Sequence, residues 1–226
     1  MNIIYEDNHI IALNKSCGEI VQGDKTGDEP LCDQLKDWLK AKYRKPGNVF
    51  LGVAHRLDRP VSGVVLFAKT SKALSRINNM FRDGKFKKTY LAIVHTPPPK
   101  DEDTLTHWLY RNERQNKTYA CDTERPGSKH AILHYKLLAC SDNYYLLEID
   151  LKTGRHHQIR SQLSKINCPV KGDLKYGATR TNPNGGISLH ASSVEFIHPV
   201  SNELVRINAP VPSETLWNSL TTGIFP

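Results

Sequence analysis

Residues 55–60 read HRLDRP, so Asp58 stands between Arg56 and Arg59. An aspartate has an ordinary pKa of about 3.9, and a guanidinium within about 4–6 Å keeps it ionised and holds its carboxylate in one orientation. A carboxylate in this state suits nucleophilic attack or proton abstraction. A salt-bridged aspartate on a loop gives the same pattern, and the six residues alone slightly favour that structural role over catalysis.

Other chemistries find little support in the sequence. The chain contains no Gly-rich dinucleotide fingerprint, no phosphate loop and no HExxH motif. Its five cysteines are scattered without a CxxC pair, so we expect them to be reduced and structural. His156 and His157 would point in different directions on a helix, while His130 and His134 lack an acidic partner in their motif. Structural or surface roles are favoured for these histidines, and we expect no metal.

Charge composition is compatible with a polyanionic partner but does not by itself favour one. The 226 residues include 31 Lys and Arg against 23 Asp and Glu, a net charge of +8, with a pI near 9.2. A nucleic acid is the simplest such partner, although basic charge alone equally fits a protein that needs it for solubility. No apolar stretch approaches the roughly 20 residues of a membrane span, and Glu6 and Asp7 stand where a secretory signal would be basic. We therefore expect no membrane association and a cytoplasmic location.

The residues after Asp58 predict the elements that would position it. GVVLFAK (63–69) is a continuous apolar run of strand length, and Gly63 suits a tight turn into that strand. Thr70 then predicts the N-cap of a helix that ends at Gly84 and has Ala73, Leu74, Ile77 and Phe81 on its inner face. A rigid strand behind the loop would hold Asp58 in place.

The rest of the chain predicts an α+β fold. Two short strands are predicted around Asp7 and Asn8, followed by a helix from Leu31 to Tyr43 that is stopped by Pro46 and Gly47. Further strands are predicted over 87–95, 130–140, 144–151, 188–198 and 204–210. Between the strands over 144–151 and 188–198, a helix is predicted with Ile159, Leu163 and Ile166 on one stripe and His156, Arg160 and Ser164 on another. Residues 96–103, with three prolines and four charges, predict an exposed connection and the boundary between two lobes. We expect a single domain over 1–226, with a mixed, largely antiparallel central sheet flanked by helices.

HRLDRPVSGVVLFAK (55–69) resembles the catalytic-aspartate motif of the RNA pseudouridine synthases, in the large-subunit ribosomal RNA and transfer RNA type called the RluA family. Further segments resemble the family's other motifs in the expected order, from about residue 2 to residue 210: YEDNHIIALNKSCGEIVQGD (5–24), KKTYLAIV (87–94), TGRHHQIRSQL (153–163), PVKGDLKYGA (169–178) and LHASSVEFIHP (189–199). The resemblance implies the pseudouridine synthase catalytic fold, two fused lobes with a central cleft.

Three catalytic roles follow from the resemblance. It implies that Asp58 acts on the target uridine, either as a nucleophile or as a base at the ribose, and the sequence does not choose between these. It implies that Tyr90 stacks against the flipped uracil and assists proton removal at C5, and that Arg160 pairs with Asp58 and orients it. Without the family pattern, a core tyrosine and a solvated helix arginine would be the preferred interpretations.

The implied reaction requires no cofactor. It breaks the N1–C1′ bond of uridine, rotates the base and joins C5 to C1′, with no redox change and no group gained or lost. The target base must be extruded from folded ribosomal or transfer RNA, which costs a few kcal/mol of stacking. Basic residues that could fill the stack or bind phosphates are Arg56, Arg59, Lys85, Lys87, Lys88, Arg155, Lys171 and Lys175. Each lysine of this set, taken alone, is better explained as a solvated surface charge.

The sequence departs from the family pattern in two places. Some members carry an N-terminal RNA-binding domain of the S4 type, which we do not expect here because the catalytic strands begin at residue 2. Pro60 and Val61 replace the acidic residue and threonine that are more frequent beside the aspartate. Two alternatives remain open: a non-catalytic RNA-binding or ribosome-assembly protein on the same scaffold, and a hydrolase that uses Asp58 with His55. A monomer is the family-like expectation.

Overall fold

The computed structural model describes residues 1–24 and 26–224, and this part of the chain contains eleven strands and four helices. The strands are β1 (Ile3–Glu6), β2 (Ile10–Lys15), β3 (Gly52–Val53), β4 (Ser62–Ala68), β5 (Lys87–Val94), β6 (Glu102–Asn112), β7 (Lys117–Cys121), β8 (Lys129–Cys140), β9 (Tyr145–Leu151), β10 (Leu189–Ile197) and β11 (Leu204–Asn208). The helices are α1 (Leu31–Lys42), α2 (Ser71–Arg82), α3 (Gln158–Lys165) and α4 (Thr215–Thr221). The mixed, mostly antiparallel sheet with its helices confirms the predicted α+β class.

The fold comprises two compact units. The first unit consists of Met1–Phe86 and Ser192–Pro210, and the second consists of Lys87–Ala191 and the residues from Val211 onward. The boundary that we predicted at residues 96–103 is therefore wrong. This segment joins β5 to β6, which pair with the neighbouring strands β9 and β8 of one sheet, so the connection lies inside the second unit. The single domain over 1–226 stays a prediction.

In the first unit, the antiparallel order β1-β2-β4 forms the support for the HRLDRP loop. All seven residues of β4 are buried, as its continuous apolar sequence predicts. Its residues Val64, Leu66 and Ala68 share a core with α2 and with apolar residues of β10 and β11. The predicted cap of α2 is confirmed, because Thr70 Oγ1 accepts a hydrogen bond from Ala73 N at 3.1 Å.

Helix α1 follows the predicted apolar pattern but ends earlier than expected. Leu31, Leu35 and Leu39 are buried, whereas Tyr43 lies beyond the last helical residue and is 46% exposed. The Tyr43 hydroxyl donates to a Glu6 carboxylate oxygen at 2.6 Å. This polar contact keeps the hydroxyl at the surface, so Tyr43 does not belong to the inner face.

In the second unit, five antiparallel strands form the order β5-β9-β8-β6-β7. Helix α4 packs its Trp217 and Leu220 against Leu91, Ile93 and Leu146. Helix α3 packs against β6 and β7. Strands β6 and β7 and helix α4 were not predicted from the sequence. No helix of the described residues is long and apolar enough to span a bilayer.

Helix α3 is unusual because six consecutive residues, Gln158–Leu163, are buried. Ile159 and Leu163 confirm the predicted inner face, while Ile166 lies just past the helix end and is only partly buried. His156 precedes the helix, so the predicted second stripe is reduced to Arg160 and Ser164. The buried polar side chains of α3 must therefore find partners within the protein.

Candidate active site

The backbone of the Asp58 loop is fixed in the first unit. Val61 N–H donates to the Asp58 carbonyl at 3.0 Å, which closes a turn over Arg59 and Pro60. Gly18 N–H donates to the Arg59 carbonyl at 2.9 Å. Gly63 follows with a φ of +114°, a conformation that favours glycine. A tight turn thus leads into the strand as predicted, but it is closed over residues 58–61, and Gly63 is already the second residue of β4.

Lys15 is a buried lysine that clamps this loop, and sequence reasoning did not identify it. Its side chain is 1% exposed, and Nζ donates to the carbonyls of Ser16, Arg59 and Val61 at 3.0, 3.0 and 2.7 Å. Burial lowers the pKa of Lys15 to about 8, although the negative charge of Asp58 and other neighbours acts in the opposite direction. The signal in the sequence was a lysine that ends an apolar strand inside the motif ALNKSCG.

The two arginines beside Asp58 have different environments. Arg59 forms an ion pair with Asp28, and its guanidinium also donates to Thr26 Oγ1 at 2.8 Å. Arg56 is exposed. The arginine that follows Asp58 in sequence therefore directs its charge to another acid of the first unit.

His55 has a structural contact that bears on the hydrolase alternative. Its Nε2 accepts a hydrogen bond from Leu66 N–H of β4 at 3.1 Å, and its ring lies 5.4 Å from the ring of Phe81. A nitrogen that accepts a backbone N–H offers no lone pair for abstracting a proton from water. The structure therefore gives His55 Nε2 an anchoring role rather than that of a base.

Arg160 is buried in the second unit and is held by two contacts that the sequence analysis missed. Its Nε and one terminal nitrogen donate to the two carboxylate oxygens of Asp173 at 2.6 and 2.9 Å. The side chains of Arg160 and Asp173 are only 6% and 2% exposed. The guanidinium carbon also lies 4.9 Å from the ring centroid of Tyr176. The predicted pairing of Arg160 with Asp58 stays a prediction.

Tyr176 connects Arg160 to the strands of the second unit. Its hydroxyl accepts from Thr118 N–H at 2.8 Å and lies 2.9 Å from His157 Nδ1. Burial, and then the positive charge of Arg160, lower the pKa of His157 to about 2, so its ring is neutral. Ser164 also donates to the Tyr176 carbonyl at 2.6 Å.

Tyr90 lies on the same side of the second unit's sheet as α3. It pairs with Ile149 across β5 and β9, and side chains alternate between the two faces of each strand. The pairing of β9 with β8 and of β8 with β6 places Leu105 of β6 on the same face of the sheet as Tyr90. Gln162 of α3 donates to the Leu105 carbonyl and lies 3.0 Å from His107 Nδ1 on that face.

The other cations that we predicted to bind RNA differ in exposure. Lys85, Lys87, Arg155 and Lys175 are exposed. Lys88 and Lys171 are partly buried, and burial lowers the pKa of each. Lys171 Nζ donates to Asn182 Oδ1 at 2.6 Å, which ties it to a neighbouring loop. Among the residues that the structure describes, no group of three or more His, Cys, Asp or Glu could hold a metal ion.

Comparison with known proteins assigns the chain to a family. Residues 9–165 match the family model described as RNA pseudouridylate synthase. The chain is 32% identical to the Bacillus subtilis RNA pseudouridine synthase YlyB, over 95% of this chain and 70% of that protein. It belongs to the RNA pseudouridine synthase family. The protein is therefore an RNA pseudouridine synthase, an isomerase, and the predicted family is confirmed.

Two further relatives are named for the large ribosomal subunit. The synthase is 32% identical to the ribosomal large subunit pseudouridine synthase C of Buchnera aphidicola, over 92% of this chain and 66% of the relative. It is 31% identical to the ribosomal large subunit pseudouridine synthase D of Xanthomonas campestris, over 95% of this chain and 67% of the relative. The solved structure of human RNA pseudouridylate synthase domain containing 4 has a TM-score of 0.77 at 22% identity and covers 94% of this chain and 89% of that one. This likeness confirms the predicted synthase fold.

Proposed function

We propose that the synthase isomerises particular uridines in structured ribosomal or transfer RNA and that Asp58 is its catalytic carboxylate. Ribosomal RNA is the favoured substrate, because relatives at 31% and 32% identity are named for the large ribosomal subunit. We further propose that the enzyme acts in the cytoplasm, as a monomer and without a cofactor. The isomerisation leaves the elemental composition of the nucleotide unchanged, because the hydrogen lost from C5 is balanced by one gained at N1, so neither an oxidant nor a group donor has to enter.

The fixed backbone around Asp58 is the observation that carries this proposal. A buried ammonium and a backbone N–H hold the carbonyls of residues 59 and 61, beside Asp58. Burying a lysine is costly, and a surface aspartate in a plain salt bridge would not require it. This clamp favours a catalytic over a structural Asp58.

We propose that Tyr90 stacks against the extruded uracil and that Arg160 orients the Asp58 carboxylate. The bidentate contact with Asp173 supports the role of Arg160, since a guanidinium has five N–H donors and this contact fixes its plane with two of them. The exposed cations Arg56, Lys85, Lys87, Arg155 and Lys175 would contribute phosphate contacts, each weakened by salt. Asp58 acts either as a nucleophile or as a base at the ribose.

An exchange assay tests the proposal. Formation of the C5–C1′ bond displaces the hydrogen on C5, so RNA with tritium at C5 of uridine releases tritium to water. With ribosomal RNA from cells that lack the gene, we expect Asp58→Asn to lower tritium release at least about a thousandfold, as removal of a catalytic group does, while RNA binding remains. The matched control is Asp83→Asn, which removes an exposed aspartate that pairs with Arg82 and Lys85.

Two results would contradict the proposal. Release by Asp58→Asn at the parent rate would remove Asp58 from the chemistry. Binding of the RNA by the parent protein with no tritium release from ribosomal or transfer RNA would favour the non-catalytic RNA-binding alternative. Mapping pseudouridine in total RNA with and without the gene identifies the modified nucleotide.

A further inference from the structure

Strand β6 presents aromatic side chains on the sheet face away from α3. Leu105, His107 and Leu109 are buried on the face that α3 covers. Because side chains alternate along a strand, Trp108 and Tyr110 point to the opposite face. Tyr110 is 42% exposed.

Two neighbouring strands extend this aromatic surface. Tyr110 is directly opposite Tyr119 of β7, which is 40% exposed. Trp108 is directly opposite His130 of β8, and their ring centroids are 5.2 Å apart. Trp108 and Tyr110 are two residues apart on one strand, so the four rings occupy adjacent positions. We call Trp108, Tyr110, Tyr119 and His130 the aromatic face.

Cations flank the aromatic face. Lys117 Nζ lies 5.3 Å from the ring centroid of Tyr119. Arg155 is exposed, and its Nε donates to the His130 carbonyl at 3.0 Å. On this face, the sheet positions around the rings are Thr106, Trp108, Tyr110 and Asn112 of β6, Lys117, Tyr119 and Cys121 of β7, and His130 and Ile132 of β8. None of these positions is occupied by Asp or Glu.

We propose that the aromatic face binds an unpaired segment of RNA outside the catalytic residues. Bases stack on the rings of Tyr110, Tyr119 and Trp108, and the intervening phosphates meet Lys117 and Arg155. Every base has a π-face, so such a surface binds single strands with little sequence preference. The acid-free, cationic character matches a polyanion better than a protein partner, whose interface core is depleted of charge.

The four rings of this second surface are distinct from the residues proposed for catalysis, although Lys117 Nζ also lies 5.2 Å from the ring centroid of Tyr176. Tyr90 and Arg160 lie on the α3 side of the second unit's sheet, whereas the aromatic face lies on the other side. The Tyr119 hydroxyl donates to Gln115 Oε1 at 2.7 Å, which holds its ring in a fixed position. A fixed ring loses little side-chain entropy when a base stacks on it. The inference assumes only that the synthase acts on RNA.

Oligoadenylate is a suitable probe because it contains no uridine. We expect a fluorescein-labelled 12-nucleotide oligoadenylate to bind the parent protein and to bind the Tyr110→Ala, Tyr119→Ala double variant at least about tenfold more weakly, as loss of base stacking predicts. The Tyr110→Phe, Tyr119→Phe double variant should retain most of the affinity, since it keeps both rings and loses only the Tyr119 hydrogen bond to Gln115. Tyr43→Ala, which removes an exposed tyrosine from the first unit, is the matched control.

A second measurement keeps the test decisive if the alanine variant fails to fold. An oligoadenylate with photoreactive 8-azidoadenosine should crosslink the parent protein at Trp108, Tyr110 or Tyr119. Crosslinks confined to other segments, or equal affinity of the parent and alanine variants, would overturn the inference. So would a parent protein that dimerises through these tyrosines and ignores the oligonucleotide. Tritium release by the parent from ribosomal RNA is scored separately, so either idea can fail without the other.

Discussion

The two compact units hold their proposed catalytic side chains by different means. In the first unit, Lys15 fixes the loop that carries Asp58 through backbone carbonyls. In the second unit, side chains fix one another, because Asp173 and Tyr176 hold the guanidinium of Arg160. A backbone clamp sets the position of the loop whichever side chains it carries. A side-chain network sets the orientation of one particular group, and it fails when one member changes.

Of the two ways of holding these side chains, the side-chain network should give the larger effect when it is broken. Asp173→Asn leaves the buried Arg160 guanidinium opposite a neutral amide, and breaking a buried ion pair costs about 3–5 kcal/mol of unfolding free energy. Urea denaturation should show this loss, and tritium release should fall more than about a hundredfold as the guanidinium loses its fixed plane.

Asp122→Asn is the matched control for this prediction. Asp122 also pairs with a cation of α3, Lys165 at 2.8 Å, but its side chain is 71% exposed. Exposed pairs contribute little to stability. Equal urea midpoints for the Asp173→Asn and Asp122→Asn variants would show that the second unit does not depend on its buried pair.

Breaking the backbone clamp should impair turnover while the RNA affinity is kept. Lys15→Met retains a long apolar side chain but removes three hydrogen bonds to carbonyls. We expect single-turnover rates to fall by about 10- to 100-fold, since hydrogen bonds to a charged group contribute about 1.5–3 kcal/mol each and the loop becomes misplaced. Lys36→Met, at an exposed lysine of α1, is the control. A Lys15→Met enzyme that turns over like this control would mean that the clamp is dispensable.

The clamp should also have a pH limit. Burial lowers the pKa of Lys15 to about 8, so above that pH its amine loses one of its three donors. We expect tritium release to decline above about pH 8 in the parent enzyme, and the Lys15→Met variant to lack this decline.

Unfolding cannot explain such a decline. The folded state binds the Lys15 proton less tightly than the unfolded chain, whose lysine keeps a pKa near 10.5. The unfolded state therefore holds more protons between about pH 8 and 10.5, and the contribution of Lys15 to the unfolding free energy rises with pH in this range. A parallel loss of structure and turnover that is shared by Lys15→Met would assign the decline to another group.

The smallest expected effect concerns Arg59. Asp28→Asn removes the ion pair of Arg59, so its guanidinium can bind an RNA phosphate instead. We therefore expect about threefold tighter RNA binding and an RNA affinity that falls more steeply with salt. Filter binding at two salt concentrations measures both. Asp33→Asn on α1 changes the net charge by the same amount at a site away from the loop, and an equal gain with that variant would make the effect one of net charge.

Elements with local signals were predictable from the sequence. Thr70 and the apolar spacing after it specify α2, and the apolar run of β4 specifies a buried strand. Strands β6 and β7 escaped prediction because their buried positions include His107 and Thr118, which break the apolar alternation. Their period-2 pattern around Leu105 and Leu109 was the available signal.

Of the candidate site, only the residues that lie in recognisable motifs could be predicted from the sequence. Asp58, Tyr90 and Arg160 stand in recognisable segments, whereas the partners of Arg160 come from tertiary contacts. Asp173 lies 13 residues after Arg160, and Tyr176 is fixed by Thr118, which lies 58 residues before it. No local period reports such pairs, so the geometry that orients the guanidinium required the structure.

Both compact units are discontinuous, and this affects how the protein is made. The core of the first unit needs Val194, Phe196 and Ile207 from β10 and β11 in addition to residues before Phe86. During translation, these strands leave the ribosome more than 100 residues after α2. Until β10 and β11 have been synthesised, the apolar strand β4 of the nascent first unit is incompletely covered. We therefore expect the nascent chain to need chaperones most during this part of translation.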